Sequence, residues 1–439
     1  MIRKAILLLT ALALLATLPA AAQKKKTQKT TPKNSQATFT PKTIVFKGAP
    51  GYSDQELQDG VGLKPGTPIV YSTVKAHSQK LLETGLFSSA SFTYNGTALI
   101  FNLVPSTALY PLRLENLPIT PGAELETALH ARVPLYHGKV PFDGGLTDQV
   151  SKALMEMLAA KGIQATVAAA PYTDQKLFQV TAMNYAITAP KVLVGDIQLE
   201  GGSGAPDPAL LQILASLHNA DYSREGSSGE IESTLADFYH DNGNLEAEVH
   251  AAAQGDPVIE PEAIYIPFHV AAAPGMRYKL AGIRLAPGLL LTQAEFDKQA
   301  KIPAGSFAVA GYVRDNWSYI ERQYHNKGYM EAAVRATPTF DRSQGTVSFS
   351  VTVDRGPQYT MGKLVIQNGA DDLRAAMLAA WKMPAGAVFN EGAMRGFYAN
   401  LPKKSPLART MITADLMFAQ HLNKDTHTVD ITLRMEKKH

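Results

Sequence analysis

Residues 310–366 read AGYVRDNWSYIERQYHNKGYMEAAVRATPTFDRSQGTVSFSVTVDRGPQYTMGKLVI. Val313, Trp317, Ile320 and Tyr324 recur at spacings of four, three and four, which places them on one helical face. Gly328 follows where a left-handed C-terminal cap belongs, so the pattern predicts a helix that stops there. Beyond it, Val347, Phe349, Val351 and Val353 alternate with Thr and Ser, the period of a half-buried strand. The short break at residues 341–345 predicts an antiparallel hairpin beside the helix. Gly356-Pro357 interrupts the chain, and residues 363–367 begin another strand.

The same succession recurs along the chain. A first unit has a strand at Ile44 and Phe46, helical patterns at 54–60 and 72–84, the stop Gly85, and two strands flanking Asn95-Gly96, a strong hairpin signal. A second has helical patterns at 124–130 and 147–161, Gly162, and strands near 164–170 and 176–183. A third has VGDIQLEG, helices at 208–218 and 229–242, Gly243, and two strands split by a long linker. Pro267 falls inside its last strand, out of keeping with a residue that cannot donate to a ladder. The fifth has GKLVIQNG, helices at 370–381 and 391–400, LPKKSP in place of the glycine, and a final strand through Val429, Ile431, Leu433 and Met435. First strands near Ile44, Leu112, Ile197, Ile283 and Leu364 lie 68, 85, 86 and 81 residues apart, a period of tandem domains. Four residues before each stop stands Leu81, Leu158, Tyr239 or Tyr324, and eight before stand His77, Leu154, Leu235 and Ile320. A helix with one such apolar face needs a sheet to cover it, so the expected class is α+β: small β-α-α-β-β domains, each a three-stranded sheet packed on two helices.

The 439 residues begin with two basic residues, an apolar stretch at 5–18 and Ala20-Ala21-Ala22, the pattern of a secretory signal peptide over residues 1–22. Residues 23–42 carry six lysines and no acid, and read as a disordered basic linker. Its Lys24, Lys25, Lys26, Lys29 and Lys33 are candidates for contact with a membrane surface. Removing Arg3 and Lys4 with the leader lowers the formal charge of +3 to +1, and removing the six lysines lowers it to −5, which argues against nucleic-acid binding. The absence of cysteine excludes disulfides, thiolate catalysis and Cys-based metal sites.

With these features the chain resembles the POTRA (polypeptide-transport-associated) domains of the outer-membrane-protein assembly factor family. The likeness rests on the β-α-α-β-β order, the helix-Gly-aromatic stops at Gly85-Leu86-Phe87 and Gly328-Tyr329, and the joint Gly356-Pro357-Gln358-Tyr359 leading into Gly362-Lys363-Leu364-Val365-Ile366-Gln367-Asn368-Gly369. It divides the chain into POTRA-like domains at 43–106, 107–189, 190–274, 275–355 and 356–439. Family members carry a β-barrel after the last repeat, whereas four residues follow Met435 here, so no barrel is expected in this sequence. The resemblance implies an exported, periplasmic scaffold associated with the outer membrane, whose partners are assembly proteins or unfolded clients.

No catalytic, cofactor or metal site is expected. His240, Glu246 and His250 lack the spacing of a zinc helix, and no nucleophile elbow or phosphate loop appears. The competing reading is an enzyme or regulatory subunit with a site at a domain junction. The resemblance implies that extended peptides add to a sheet edge, and the edge expected in the fourth domain comprises Met330, Ala332, Val334 and Ala336; the rival expectation is an edge shut by a neighbouring repeat. The structural stops are Gly85, Gly162, Gly243 and Gly328. Export with cleavage after Ala22 predicts that the native protein begins at Gln23; intact-mass and amino-terminal measurement checks this, and a chain retaining Met1 in the inner membrane would refute it.

Overall fold

The computed structural model of the protein describes residues 37–174, 176–201, 207–400 and 414–437. The leader, the five lysines at positions 24–33 and the segment LPKKSP lie outside these residues. The first repeat runs β1 (Thr38–Phe39), β2 (Thr43–Lys47), α1 (Asp54–Val61), β3 (Ile69–Val70), α2 (Tyr71–Glu83), β4 (Phe87–Tyr94) and β5 (Ala98–Pro105). The second has β6 (Leu109–Leu114), α3 (Ala123–Arg132), β7 (Lys139–Pro141), α4 (Gly145–Ala159), β8 (Thr166–Asp174) and β9 (Gln179–Ala189). The third has β10 (Lys191–Glu200), α5 (Pro208–Leu217), α6 (Ser227–Asp241), β11 (Glu248–Ala253), β12 (Val258–Ile259) and β13 (Ala263–Ala273). The fourth has β14 (Lys279–Leu285), α7 (Gln293–Gln299), α8 (Ala310–His325), β15 (Ala333–Asp341) and β16 (Thr346–Asp354). The fifth has β17 (Thr360–Gln367), α9 (Asp371–Ala380), α10 (Glu391–Asn400), β18 (Ala414–Asn423) and β19 (Thr428–Lys437).

Each repeat places its last strand in the middle of the sheet, parallel to the first strand and antiparallel to the one before it, as in β14-β16-β15 and β17-β19-β18. The parallel pair is possible because two helices intervene between its strands, a connection long enough for a crossover. The helices cover one sheet face. In the fourth repeat Ile320 and Val347 are fully buried, with Val313, Tyr324 and Val351 beside them. The registered helix positions Leu81, Leu158, Tyr239 and Tyr324 are all buried, and each such apolar side chain contributes about 1.5–3 kcal/mol. The short first helices begin with local hydrogen bonds: Ser53 and Glu56 form a capping box on α1, and Thr292 and Glu295 form one on α7.

Two sequence expectations are modified. Thr38–Phe39, inside the stretch expected to be a disordered linker to residue 42, pairs antiparallel with Ile69–Val70. Val133–Thr147, expected inside the second domain, group with the first: the chain divides into two compact units, one holding residues up to Leu109 with Val133–Thr147, the other holding Tyr110–Arg132 and residues from Asp148 onward. Leu135 accounts for part of this, since a Cβ on Gly60 would stand 2.7 Å from its side chain.

Pro267 has a physical explanation. The first strand carries one extra residue in three repeats, between Val194 and Ile197, between Leu280 and Gly282, and between Met361 and Leu364. Pro267 lies level with the first of these bulges, but its main-chain groups point the other way, to where β11 has ended and β12 has not begun, so the antiparallel ladder is already broken where its donor is missing. On that side its carbonyl accepts the N–H of Gln254, in the gap between β11 and β12. In the fifth repeat the bulge is packed tightly: a Cβ on Gly362 would be 2.1 Å from Asp430 Oδ1, the atom that accepts the Lys363 N–H at 2.7 Å.

The four stop glycines have φ of +80° (Gly85), +81° (Gly162), +88° (Gly243) and +84° (Gly328). Gly162 has open space at its Cβ position, whereas a Cβ on Gly328 would stand 2.6 Å from the Tyr359 carbonyl oxygen. Gly162→Ala should therefore cost only the left-handed backbone penalty, about 1–2 kcal/mol, and Gly328→Ala distinctly more. Equilibrium denaturation of the two variants checks the order; equal losses would mean that the Tyr359 contact yields without cost.

Candidate functional site

A sheet with its last strand inside leaves the antiparallel hairpin partner as an edge: β4, β8, β11, β15 and β18 in the five repeats. In an antiparallel ladder the N–H and C=O of one residue point to the same side, and the side alternates along the strand. The Val334 N–H meets Glu321 Oε1 of α8, so Val334 faces away from β16, and with the regular register Ala336, Pro338 and Phe340 do the same. These residues carry the main-chain groups an added strand would use.

The second helix of the same repeat reaches over to that edge in four repeats. Ser78 of α2 donates to the Ala90 carbonyl at 2.9 Å. Glu232 of α6 accepts the Ala251 N–H at 2.8 Å. Tyr398 of α10 donates to the Leu416 carbonyl at 2.7 Å. Glu321 stands 3.4 Å from the Val334 nitrogen, beyond the usual range of an N–H···O bond. The β15 edge thus has the longest of the four contacts, and Pro338 leaves a gap in its row of donors.

The expected edge residues do not all lie on the strand. Val334 and Ala336 are on β15, half-buried and packed against the core of the fourth repeat. Met330 and Ala332 precede it, in a turn closed by the Ala332 N–H on the Tyr329 carbonyl. Met330 packs against the core of the fifth repeat and Ala332 is buried in its own. The chain delays the strand by three residues because the intervening Glu331 is held at the joint with the next repeat.

The sequence marked that joint at Gly356-Pro357-Gln358-Tyr359 but not the contacts that make it. Tyr359 is fully buried; its N–H donates to the Gly328 carbonyl at 2.7 Å and its hydroxyl donates to Glu331. Glu331 also pairs with Lys424 of the β18–β19 hairpin at 3.2 Å. One repeat earlier the device recurs: the N–H of buried Tyr278 donates to the Gly243 carbonyl at 2.9 Å, its hydroxyl donates to Glu246, and Glu246 pairs with Arg342 of the β15–β16 hairpin at 2.7 Å. The helix ends are joined as well, by the Gly311 N–H on Asp241 and by His325 against Glu391. The signal was present as two Gly-x-x-Glu runs, 243–246 and 328–331, answered by two Gly-x-x-Tyr runs, 275–278 and 356–359. Glu246, weighed above with His240 and His250 against a metal site, is thus part of the joint.

Both carboxyls are held below the ordinary range, Glu331 by the Tyr359 hydroxyl and then Lys424, Glu246 by Arg342 and then the Tyr278 hydroxyl. The Tyr359 hydroxyl is pushed up to about 12 in turn, first by its bond to Glu331. A carboxyl whose folded value is lowered stabilises the fold above the ordinary carboxylate range, and that contribution is lost as pH falls through the lowered folded values. Acid should therefore loosen these joints. Denaturation midpoints followed downward from neutral pH should fall less steeply in Glu331→Gln than in the parent; an unchanged pH profile would remove Glu331 from this role.

No family model matches the sequence. The chain is 20% identical over 423 residues to the outer membrane protein assembly factor BamA of Buchnera aphidicola subsp. Acyrthosiphon pisum (strain APS), a match covering 92% of this chain and 65% of that protein. Similar solved structures include POTRA domains 3–5 of Haemophilus influenzae BamA, at 15% identity and TM-score 0.43, covering 56% of this chain and 96% of that one. POTRA domains 1–3 of Anabaena Omp85 are similar at 16% identity and TM-score 0.24, covering 57% and 98%. The chain is thus similar along nearly its whole length to an outer membrane protein assembly factor, and its units follow the β-α-α-β-β order of small tandem α+β repeats.

Proposed function

We propose that the chain is a periplasmic, non-enzymatic scaffold for outer-membrane-protein assembly or polypeptide transport, which engages extended segments of client or partner proteins by strand addition. Support for the process comes from the relative's name, outer membrane protein assembly factor, and from a match covering 92% of this chain. The chain spans 65% of that relative's length, so the proposal concerns the repeats alone. Among the described residues no helix is long and apolar enough to cross a membrane. The five repeats are assigned to residues 43–106, 107–189, 190–274, 275–355 and 356–439. Export through residues 1–22 and surface contact by Lys24, Lys25, Lys26, Lys29 and Lys33 belong to the same reading, and nucleic acid is not among the partners.

The observation that carries strand addition at β15 is its weakly held edge. An incoming strand needs free donors and acceptors in one row, and it tolerates many client sequences because its affinity comes from the main chain. Ala336 and Phe340 supply N–H groups in that row, and the contact at Val334 is the longest of the four helix-to-edge contacts described above. Replacing Ala336 by Pro removes one outward donor without touching the ladder to β16. Val334→Pro acts on the donor facing Glu321. With one net main-chain bond contributing about 0.5–1.5 kcal/mol, capture of an unfolded outer-membrane protein by Ala336→Pro should weaken by roughly threefold to tenfold. Photo-crosslinking yields and equilibrium binding measure this. An Ala336→Pro variant that remains folded by circular dichroism and captures clients as well as the parent would place strand addition elsewhere.

A further inference from the structure

The hairpin joining β8 and β9 ends in Lys176-Leu177-Phe178. Leu177 is 62% exposed and Phe178 85%, the two highest values among the exposed large hydrophobics of the described residues, and they are adjacent. The loop holds them outward. Asp174 Oδ1 accepts the N–H groups of Lys176 and Leu177 at 2.8 and 2.9 Å, and the Asp174 carbonyl accepts that of Phe178 at 2.8 Å. Phe178 has φ +51°, a left-handed conformation that a bulky side chain seldom adopts. A turn of this kind is served better by Asn or Gly, so neither packing nor backbone geometry accounts for a phenylalanine here.

We infer that this tip inserts into the surface of a lipid bilayer. Two side chains bury at most a few hundred Å² in a partner, far below the roughly 1,200 Å² of a stable protein interface. A lipid interface needs no complementary surface and takes a convex apolar point directly. The neighbouring residues fit that depth. The Asp174 carboxylate is turned back onto loop N–H groups, and exposed Lys176 has a long stem that carries its charge to the headgroups. Tyr172, 36% exposed on the same hairpin and covered on one side by Arg113, stands two residues further back, about 7 Å along the strand, at the level where amphipathic rings collect. This contact is independent of strand addition and of the lysines at positions 24–33.

The test uses the full mature chain and uncharged phosphatidylcholine vesicles at high salt, conditions that suppress attraction by the lysine arm. Co-sedimentation should show the parent partitioning onto vesicles and the double variant Leu177→Ser, Phe178→Asn losing at least about tenfold of that partition. Asn suits the left-handed φ, so the variant should keep the parent's thermal midpoint, which is measured alongside. The chain has no cysteine, so Phe178→Cys and Ser343→Cys each give one labelling site for an environment-sensitive dye. Vesicles should shift the emission at 178 to the blue, with quenching by lipid nitroxides, and leave the dye at 343 unchanged. Equal shifts at both positions, no vesicle binding by the parent, or unchanged binding by the folded double variant would each overturn the inference.

Discussion

The last three repeats depend on one main-chain contact used twice. The carbonyl of a left-handed glycine that ends a helix receives the N–H of the tyrosine that starts the next repeat: Gly243 with Tyr278, and Gly328 with Tyr359. A helix end leaves carbonyls unpaired and a strand start leaves N–H groups unpaired, so the pairing satisfies both where solvent is excluded. The buried tyrosine would be costly with its hydroxyl unbonded, and this fixes a glutamate three residues beyond each glycine. The glutamate in turn holds Arg342 or Lys424, so the hairpin of the following repeat is tied to the same point.

This arrangement explains why β15 begins where it does. Glu331 must remain beneath Tyr359, so Met330 and Ala332 are drawn into the turn and packing of the joint and only the residues from Ala333 onward are free to pair. The open edge and the joint draw on the same short stretch of chain.

Four of the edges are managed from within their own repeat. A row of unpaired main-chain groups invites unwanted pairing, and here a serine, two glutamates and a tyrosine from the second helices each engage one group of that row. One engaged group leaves the remainder of the strand available, and the distances differ from repeat to repeat. The edges therefore differ in how firmly their main-chain groups are engaged, although every sheet has its last strand inside it. The same economy appears at Pro267, whose missing donor faces the gap where β11 has ended and β12 has not begun.

Periodicity determined the helices and central strands, because Leu81, Leu158, Tyr239 and Tyr324 must meet a sheet whatever the neighbouring repeats do, and the order of elements followed from them. The positions of Gly85, Gly162, Gly243 and Gly328 were likewise legible, since a helix stop is a local event. Of the candidate edge, alternation placed Val334 and Ala336 on the strand but could not exclude Met330 and Ala332, whose position is set by Tyr359 in another repeat. The reach of Ser78, Glu232, Glu321 and Tyr398 to an edge was also beyond a single-sequence reading, because each contact joins a helix to a strand across the packing of a sheet. Local spacing carries what the chain does within one turn or one strand; which backbone groups remain unpaired is settled only when distant segments meet.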